Sequence, residues 1–171
     1  MRCFIAIEVP FTHSMEEFQK SIEGRVKLVE RENVHITLKF LGEISENDVE
    51  KIKEIIENCK KKPFNITLKN VGFFPNERYI RVIWIGVFPQ EPIINISRCI
   101  DEKLSSLGFE KEKSYVPHLT IARAKGPVKI KNLEKFRAME FGSVEVKEIK
   151  IKKSTLTPKG PIYEDMVVIQ L

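Results

Sequence analysis

His35-Ile-Thr37-Leu and His118-Leu-Thr120-Ile are two copies of one short pattern, 83 positions apart (118 − 35), and together they use two of the chain's three histidines. An imidazole with an ordinary pKa of about 6.5 can hold or release a proton near neutrality. On a β-strand, residues i and i+2 share a face, so each copy presents one imidazole and one hydroxyl together, with the intervening aliphatic residue turned to the core. Two such strands facing one cleft would suit phosphoryl chemistry. One neutral imidazole removes a proton from an attacking hydroxyl or water, one imidazolium protonates the departing oxygen, and the threonines hydrogen-bond the non-bridging oxygens. Each positioned acid or base is typically worth about 10²–10⁴ in rate.

Competing chemistries find less support. Zinc normally takes three or four His, Cys, Asp or Glu ligands, two of them close in sequence, and neither motif has a close second ligand. No metal and no cofactor are therefore expected. No glycine-rich phosphate loop of the triphosphate- or dinucleotide-binding kinds is present. His13, at a helix start and without a partner pattern, reads as a solvated surface histidine.

The elements that must position the motifs follow from periodicity and capping. Strands are expected at residues 2–9, 34–41, 64–71, 79–87, 118–124, 144–153 and 162–170. Thr12 or Ser14 caps a helix running to about Arg25, and Ser45-x-x-Asp48 is a capping-box variant opening a helix to about Lys60. Further helices are expected at 90–107, ending before Gly108, and at 132–139. Each His-x-Thr strand belongs to a strand-plus-helix half, which predicts two related lobes about a pseudo-two-fold axis. No linker divides the 171 residues, so one bilobal domain covering 1–171 is expected.

At 42% apolar and 31% charged, the composition is that of an ordinary soluble globule. No apolar run approaches the roughly 20 residues that cross a bilayer, and Glu8 interrupts the apolar N-terminus, which reads as a strand and not a signal peptide. A formal charge of +5 favours an anionic partner. Cys3, Cys59 and Cys99 are odd in number and widely scattered, so neither a disulfide framework nor a zinc site is expected, and a reducing cytoplasm is the simplest location. Abundant Lys, Glu and Ile resemble thermophile usage.

The stretches ENVHITLKFLGE (32–43), FFP (73–75), RVIWIGV (81–87), YVPHLTIAR (115–123) and STLTPKGPIYE (154–164) together resemble the two-histidine (2H) phosphoesterases. The nearest branch is the RNA 2′,3′-cyclic phosphodiesterases, also called 2′-5′ RNA ligases. The resemblance implies an α+β, bilobal fold with two antiparallel sheets facing a central cleft and helices outside. It implies metal-independent opening of RNA 2′,3′-cyclic phosphates to 2′-phosphates. The sequence leaves the natural RNA open, tRNA halves being one candidate, demands no more than a monomer, and points to no membrane partner. His35 and His118 match the catalytic histidines, Thr37 and Thr120 the phosphate-binding hydroxyls, Arg123 a phosphate-binding arginine and Phe40 a base-stacking phenylalanine. His118 is taken as the base on water and His35 as the acid on the leaving 3′ oxygen. The block 155–160 is implied to be a loop near the cleft.

One element of this expectation conflicts with strand geometry. Phe40 and Arg123 stand five positions after their histidines, which in a regular strand places them on the opposite face. They reach the cleft only where the strand ends, twists or bulges. Lys39, Arg81, Lys125 and Lys159 are candidates to steer a polyanion. Two further readings stay open: reversible 2′-5′ ligation of RNA ends as the main reaction, and a non-catalytic RNA-binding module.

Overall fold

A computed structural model describes all of residues 1–171. In chain order it contains β1 (Arg2–Glu8), α1 (His13–Lys20), β2 (Ile22–Leu28), β3 (His35–Glu43), α2 (Glu46–Cys59), β4 (Phe64–Asn76) and β5 (Tyr79–Phe88). There follow α3 (Glu91–Ser105), β6 (His118–Ile130), α4 (Leu133–Arg137), β7 (Glu140–Val146), β8 (Glu148–Thr157) and β9 (Gly160–Gln170). All strand pairings are antiparallel. One lobe carries β9-β8-β1-β3 and the other β7-β4-β5-β6, with β2 against β6. The expected α+β architecture is present, with the two sheets joined into one by a single residue pair, Ile36 with Leu119.

That pair is the pseudo-symmetry centre, because each member directly follows a motif histidine. In one lobe Ala6, Ile7 and Glu8 pair with Thr37, Ile36 and His35. In the other, Trp84, Ile85 and Gly86 pair with Thr120, Leu119 and His118 in the same register. The strand beyond each comes from the opposite half of the chain. β8, late in sequence, completes the first lobe beside β1, and β4, early in sequence, completes the second beside β5. The halves thus exchange a strand.

Local chemistry sets the helices. Ser45 Oγ accepts from Asp48 N–H at 3.2 Å and Asp48 Oδ2 accepts from Ser45 N–H at 2.9 Å, a complete capping box for α2. Thr12 caps α1 by accepting from Met15 N–H. α2 buries Val49, Ile52 and Ile56, and α3 buries Ile93, Ile96, Ile100 and Leu104. Each such side chain contributes about 1.5–3 kcal/mol on full burial. Ser97 on α3 donates to Leu38 O at 3.0 Å and so holds the helix against the back of the first motif strand. Phe18, Phe136 and Phe141 form the corresponding aromatic cluster under α1 and α4.

Three expectations are corrected. The first helix ends at Lys20, and residues 22–28 form β2 instead. Ile22 and Val26 favour a strand, and Gly24, at φ +120°, lies where a Cβ would come within 2.4 Å of Pro127 O. The single strand expected at 144–153 is two strands, β7 and β8, that meet at Lys147, whose carbonyl accepts from Leu171 N–H. Finally, Cys59 and Cys99 form a disulfide with their Cα atoms 5.7 Å apart, leaving Cys3 as a buried free thiol. Only the packing of α2 on α3 brings those two cysteines together, so sequence spacing carries no trace of the pairing.

Candidate active site

The first residue of each motif strand is fixed by a bond to its own approach segment. His35 Nδ1 lies 2.6 Å from Asn33 O, and His118 Nδ1 lies 2.7 Å from Val116 O. A carbonyl only accepts, so Nδ1 carries the proton in both rings, and both Nε2 atoms are left for proton transfer. Asn33 is itself held by its side-chain amide, which donates to Pro161 O at 3.2 Å. Val116 precedes Pro117, which favours the extended backbone that aims its carbonyl at the ring. Thr37 Oγ1 stands 3.0 Å from His35 Nε2, and Thr37 O accepts from the half-buried Tyr115 hydroxyl at 2.8 Å.

Aromatic walls hold the ring planes. His35 sits 4.9 Å from the Phe4 centroid and 5.5 Å, edge-on, from Tyr163. His118 sits 5.0 Å, edge-on, from Phe74 and 5.8 Å from Trp84. Burial pushes both imidazoles below the ordinary histidine pKa. The bonds to Asn33 O and Val116 O oppose that shift, while Arg123 adds to it at both rings and Lys152 adds to it at His35. Burial thus favours the neutral form of both rings.

Two matched bulges settle the parity conflict. Between the pairs Ala6–Thr37 and Ile5–Lys39 the ladder skips Leu38, and between Trp84–Thr120 and Ile83–Ala122 it skips Ile121. In each strand two successive residues, Leu38 and Lys39 or Ile121 and Ala122, then turn inward and are buried. The next residue returns to the histidine face. Phe40, 64% exposed, and Arg123 therefore line the same cleft of about 490 Å³ as His35, Thr37, His118 and Thr120. All six site residues expected from sequence are brought together. Because β3 and β6 are antiparallel, Phe40 and Arg123 lie toward opposite ends.

The lysine candidates fare differently. Lys39 is the inward residue of its bulge and is no cleft residue. Its ammonium is buried between Asp101 Oδ1 and Glu110 O, each at 2.6 Å, and it ties the segment before β6 to α3. Arg81 and Lys125 lie in a separate hollow beyond Arg123, and Lys159 sits on the β8–β9 turn, its carbonyl accepting from Lys27. Sequence reasoning missed the aromatic walls, whose four members come from β1, β4, β5 and β9. It also missed a charged cluster on the β1–β8–β9 surface, where Glu8 and Asp165 each contact both Lys150 and Lys152. Burial alone would raise both carboxyls, but the lysine hydrogen bonds hold them below the usual range. Strand alternation in β8 (Lys150, Lys152) was the one available signal for that cluster.

The model of the LigT-like phosphoesterase family matches this chain twice in tandem, over residues 5–84 and 85–163. An RNA 2′,3′-cyclic phosphodiesterase of Methanocaldococcus jannaschii is 50% identical over 172 residues, covering 96% of this chain and 97% of its own. One of the same name from Archaeoglobus fulgidus is 39% identical, covering 99% and 100%. Among solved structures, a Thermus thermophilus protein superposes with a TM-score of 0.82 at 25% identity, covering 100% of this chain and 98% of its own. Escherichia coli LigT, solved with 3′-AMP, gives 0.80 at 24% identity and shares the fold, covering 99% and 97%. With two matches that meet inside β5 and near full-length relatives, the chain belongs to the LigT-like phosphoesterase family.

Proposed function

We propose that this protein is a metal-independent RNA 2′,3′-cyclic phosphodiesterase that opens terminal cyclic phosphates to 2′-phosphates. The observation that carries this reading is the pair of imidazoles whose Nδ1 atoms are tied to backbone carbonyls, so that both Nε2 atoms, His35's beside Thr37 Oγ1, face one cleft from two strands that meet at Ile36 and Leu119. In the forward reaction, water attacks phosphorus and His118 Nε2 takes its proton. The P–O3′ bond breaks, and O3′ leaves with the proton from His35 Nε2. The products are a 2′-phosphate and a free 3′-hydroxyl. The cations Lys152 and Arg123 near His35 disfavour its imidazolium, which suits a group that must give its proton away.

Thr37 and Thr120 donate to the non-bridging oxygens, and the Arg123 guanidinium neutralises the charge that grows there. Phe40 offers its exposed ring to the terminal base, a contact worth roughly 1–3 kcal/mol and tolerant of base identity. One chain supplies both histidines, so residues 1–171 act as one bilobal unit and as a monomer. The substrates are RNA ends bearing the cyclic phosphate, tRNA halves among them. No helix is long and apolar enough to cross a membrane. We place the protein in the cytoplasm; the Cys59–Cys99 bond is compatible with that where thermophile composition and intracellular disulfides go together.

The test uses short oligonucleotides ending in a 2′,3′-cyclic phosphate, with a chelator present. Turnover to 2′-phosphate ends is expected, falling by at least about 10² in His35→Ala and in His118→Ala. Absence of turnover by the wild type, or full activity of either variant, would reject the two-histidine mechanism.

A further inference from the structure

Beyond Arg123 lies a second hollow of about 500 Å³. It lies between the β4–β5 turn, the start of β5 and the Lys125–Gly126–Pro127 stretch of β6. The two concavities are separate but adjacent along one pair of strands. Val82 and Arg123 pair across β5 and β6 and line the first, while their neighbours Ile80, Arg81, Ala124 and Lys125 line the second.

The lining is basic and its cations are uncommitted. Arg78, Arg81 and Lys125 have no acidic partner, and the hollow's one carboxylate, Glu77, is held by Arg137. Arg81 is also pre-organised. Its guanidinium lies 5.1 Å over the Tyr79 ring, its Nη2 donates to Tyr79 Oη at 2.9 Å, and the phenol is 57% exposed. The turn beneath is fixed by Asn76 Oδ1, which accepts from Arg78 and Tyr79 N–H at 2.9 and 3.0 Å. At about 3.3 Å per residue, Lys125 lies roughly 6.6 Å further along β6 than Arg123, about one extended nucleotide away.

We propose that this hollow binds the RNA chain upstream of the reacting nucleotide, with Arg81 and Lys125 on phosphodiesters and Tyr79 under a base. A guanidinium hydrogen-bonded to an exposed phenol offers a phosphate fork beside a stacking plane. The inference rests on the phosphodiesterase reading and gives it a direction: the terminal nucleotide occupies the Phe40 side, and the chain leaves past Arg123.

The experiment compares cytidine 2′,3′-cyclic phosphate with a hexanucleotide ending in the same group, in wild type and in Arg81→Ala/Lys125→Ala. The double variant should lose roughly tenfold in kcat/KM on the hexanucleotide and less than twofold on the mononucleotide. Its log–log salt dependence on the hexanucleotide should flatten by about 0.7 for each phosphate contact removed. Fluorescence anisotropy of a labelled hexanucleotide carrying the 2′-phosphate product reads the same loss without turnover. Equal losses on both substrates, or none on the hexanucleotide, overturn the proposal. If the wild type turns over neither substrate, the phosphodiesterase reading falls, and anisotropy alone then decides for or against the upstream site.

Discussion

Replacing Gly72 with alanine tests how tightly the second lobe positions its histidine. Gly72 pairs with Trp84 across β4 and β5, and the indole lies over the place a side chain would occupy. A Cβ built there meets Trp84 Cζ2 at 2.0 Å, Cη2 at 2.2 Å and Cε2 at 2.3 Å. Ordinary contact begins near 3.4 Å, so the ring must retreat by roughly 1.4 Å. It cannot do so alone, because its centroid is 5.0 Å from Phe74 and 5.8 Å from His118. A displacement of about 1 Å at a reacting group can cost about 10² in rate, or about 2.7 kcal/mol of barrier, while overpacking itself costs about 1–3 kcal/mol of stability. Gly72→Ala should therefore lower kcat about a hundredfold and Tm by several degrees. Trp84→Leu removes the three clashing atoms, so the double variant should be more stable than Gly72→Ala alone. Steady-state kinetics and thermal melts of the three variants are the assay. A Gly72→Ala protein with wild-type kcat would show that the indole does not hold His118.

Burial lowers both histidine pKa values, and turnover needs one ring protonated and one neutral. Above the lowered values the protonated acid becomes scarcer with each unit, so kcat/KM should peak below pH 6.5 and fall through neutrality; a maximum above pH 7 contradicts the burial argument. Lys39→Met strands Asp101 without its cation and should destabilise by about 3 kcal/mol in denaturant unfolding, while the salt dependence of RNA binding stays unchanged. A weakened salt dependence would return Lys39 to the polyanion path. Reducing the Cys59–Cys99 bond, which spans 40 positions, should cost about 4 kcal/mol by loop entropy and lower Tm by about 10 °C; an unchanged melt under dithiothreitol would refute this.

The chemistry was more legible in the sequence than its geometry. His35, Thr37, His118 and Thr120 announce themselves because a strand's two-residue repeat is written directly in residue order. Phe40 and Arg123 posed a contradiction that only the ladder resolves, since a bulge is a relation between two strands and leaves no letter in either. Lys39 looked like a surface cation for the same reason: its inward turn is set by the extra residue before it. The capping box of α2 was readable, as both its bonds are local. The disulfide, the aromatic walls and the Glu8–Lys150–Lys152–Asp165 cluster were not, because each assembles residues from distant elements. β2 was lost to a helix whose cap at Thr12 is real but whose length depends on Gly24 and the β6 backbone beside it.

The exchange of β4 and β8 between lobes bears on the polarity of the cleft. Two identical half-chains, each lending a strand to the other, would enclose a groove whose ends were the same, and a ribonucleotide could lie in it either way round. Joining the halves in one polypeptide lets equivalent positions carry different side chains. Phe40 at one end and Arg123 at the other are such a pair, set by matching bulges and unlike only in identity. Covalent continuity thus turns a two-fold groove into one with a head and a tail, so that a single strand of RNA can be read in one sense.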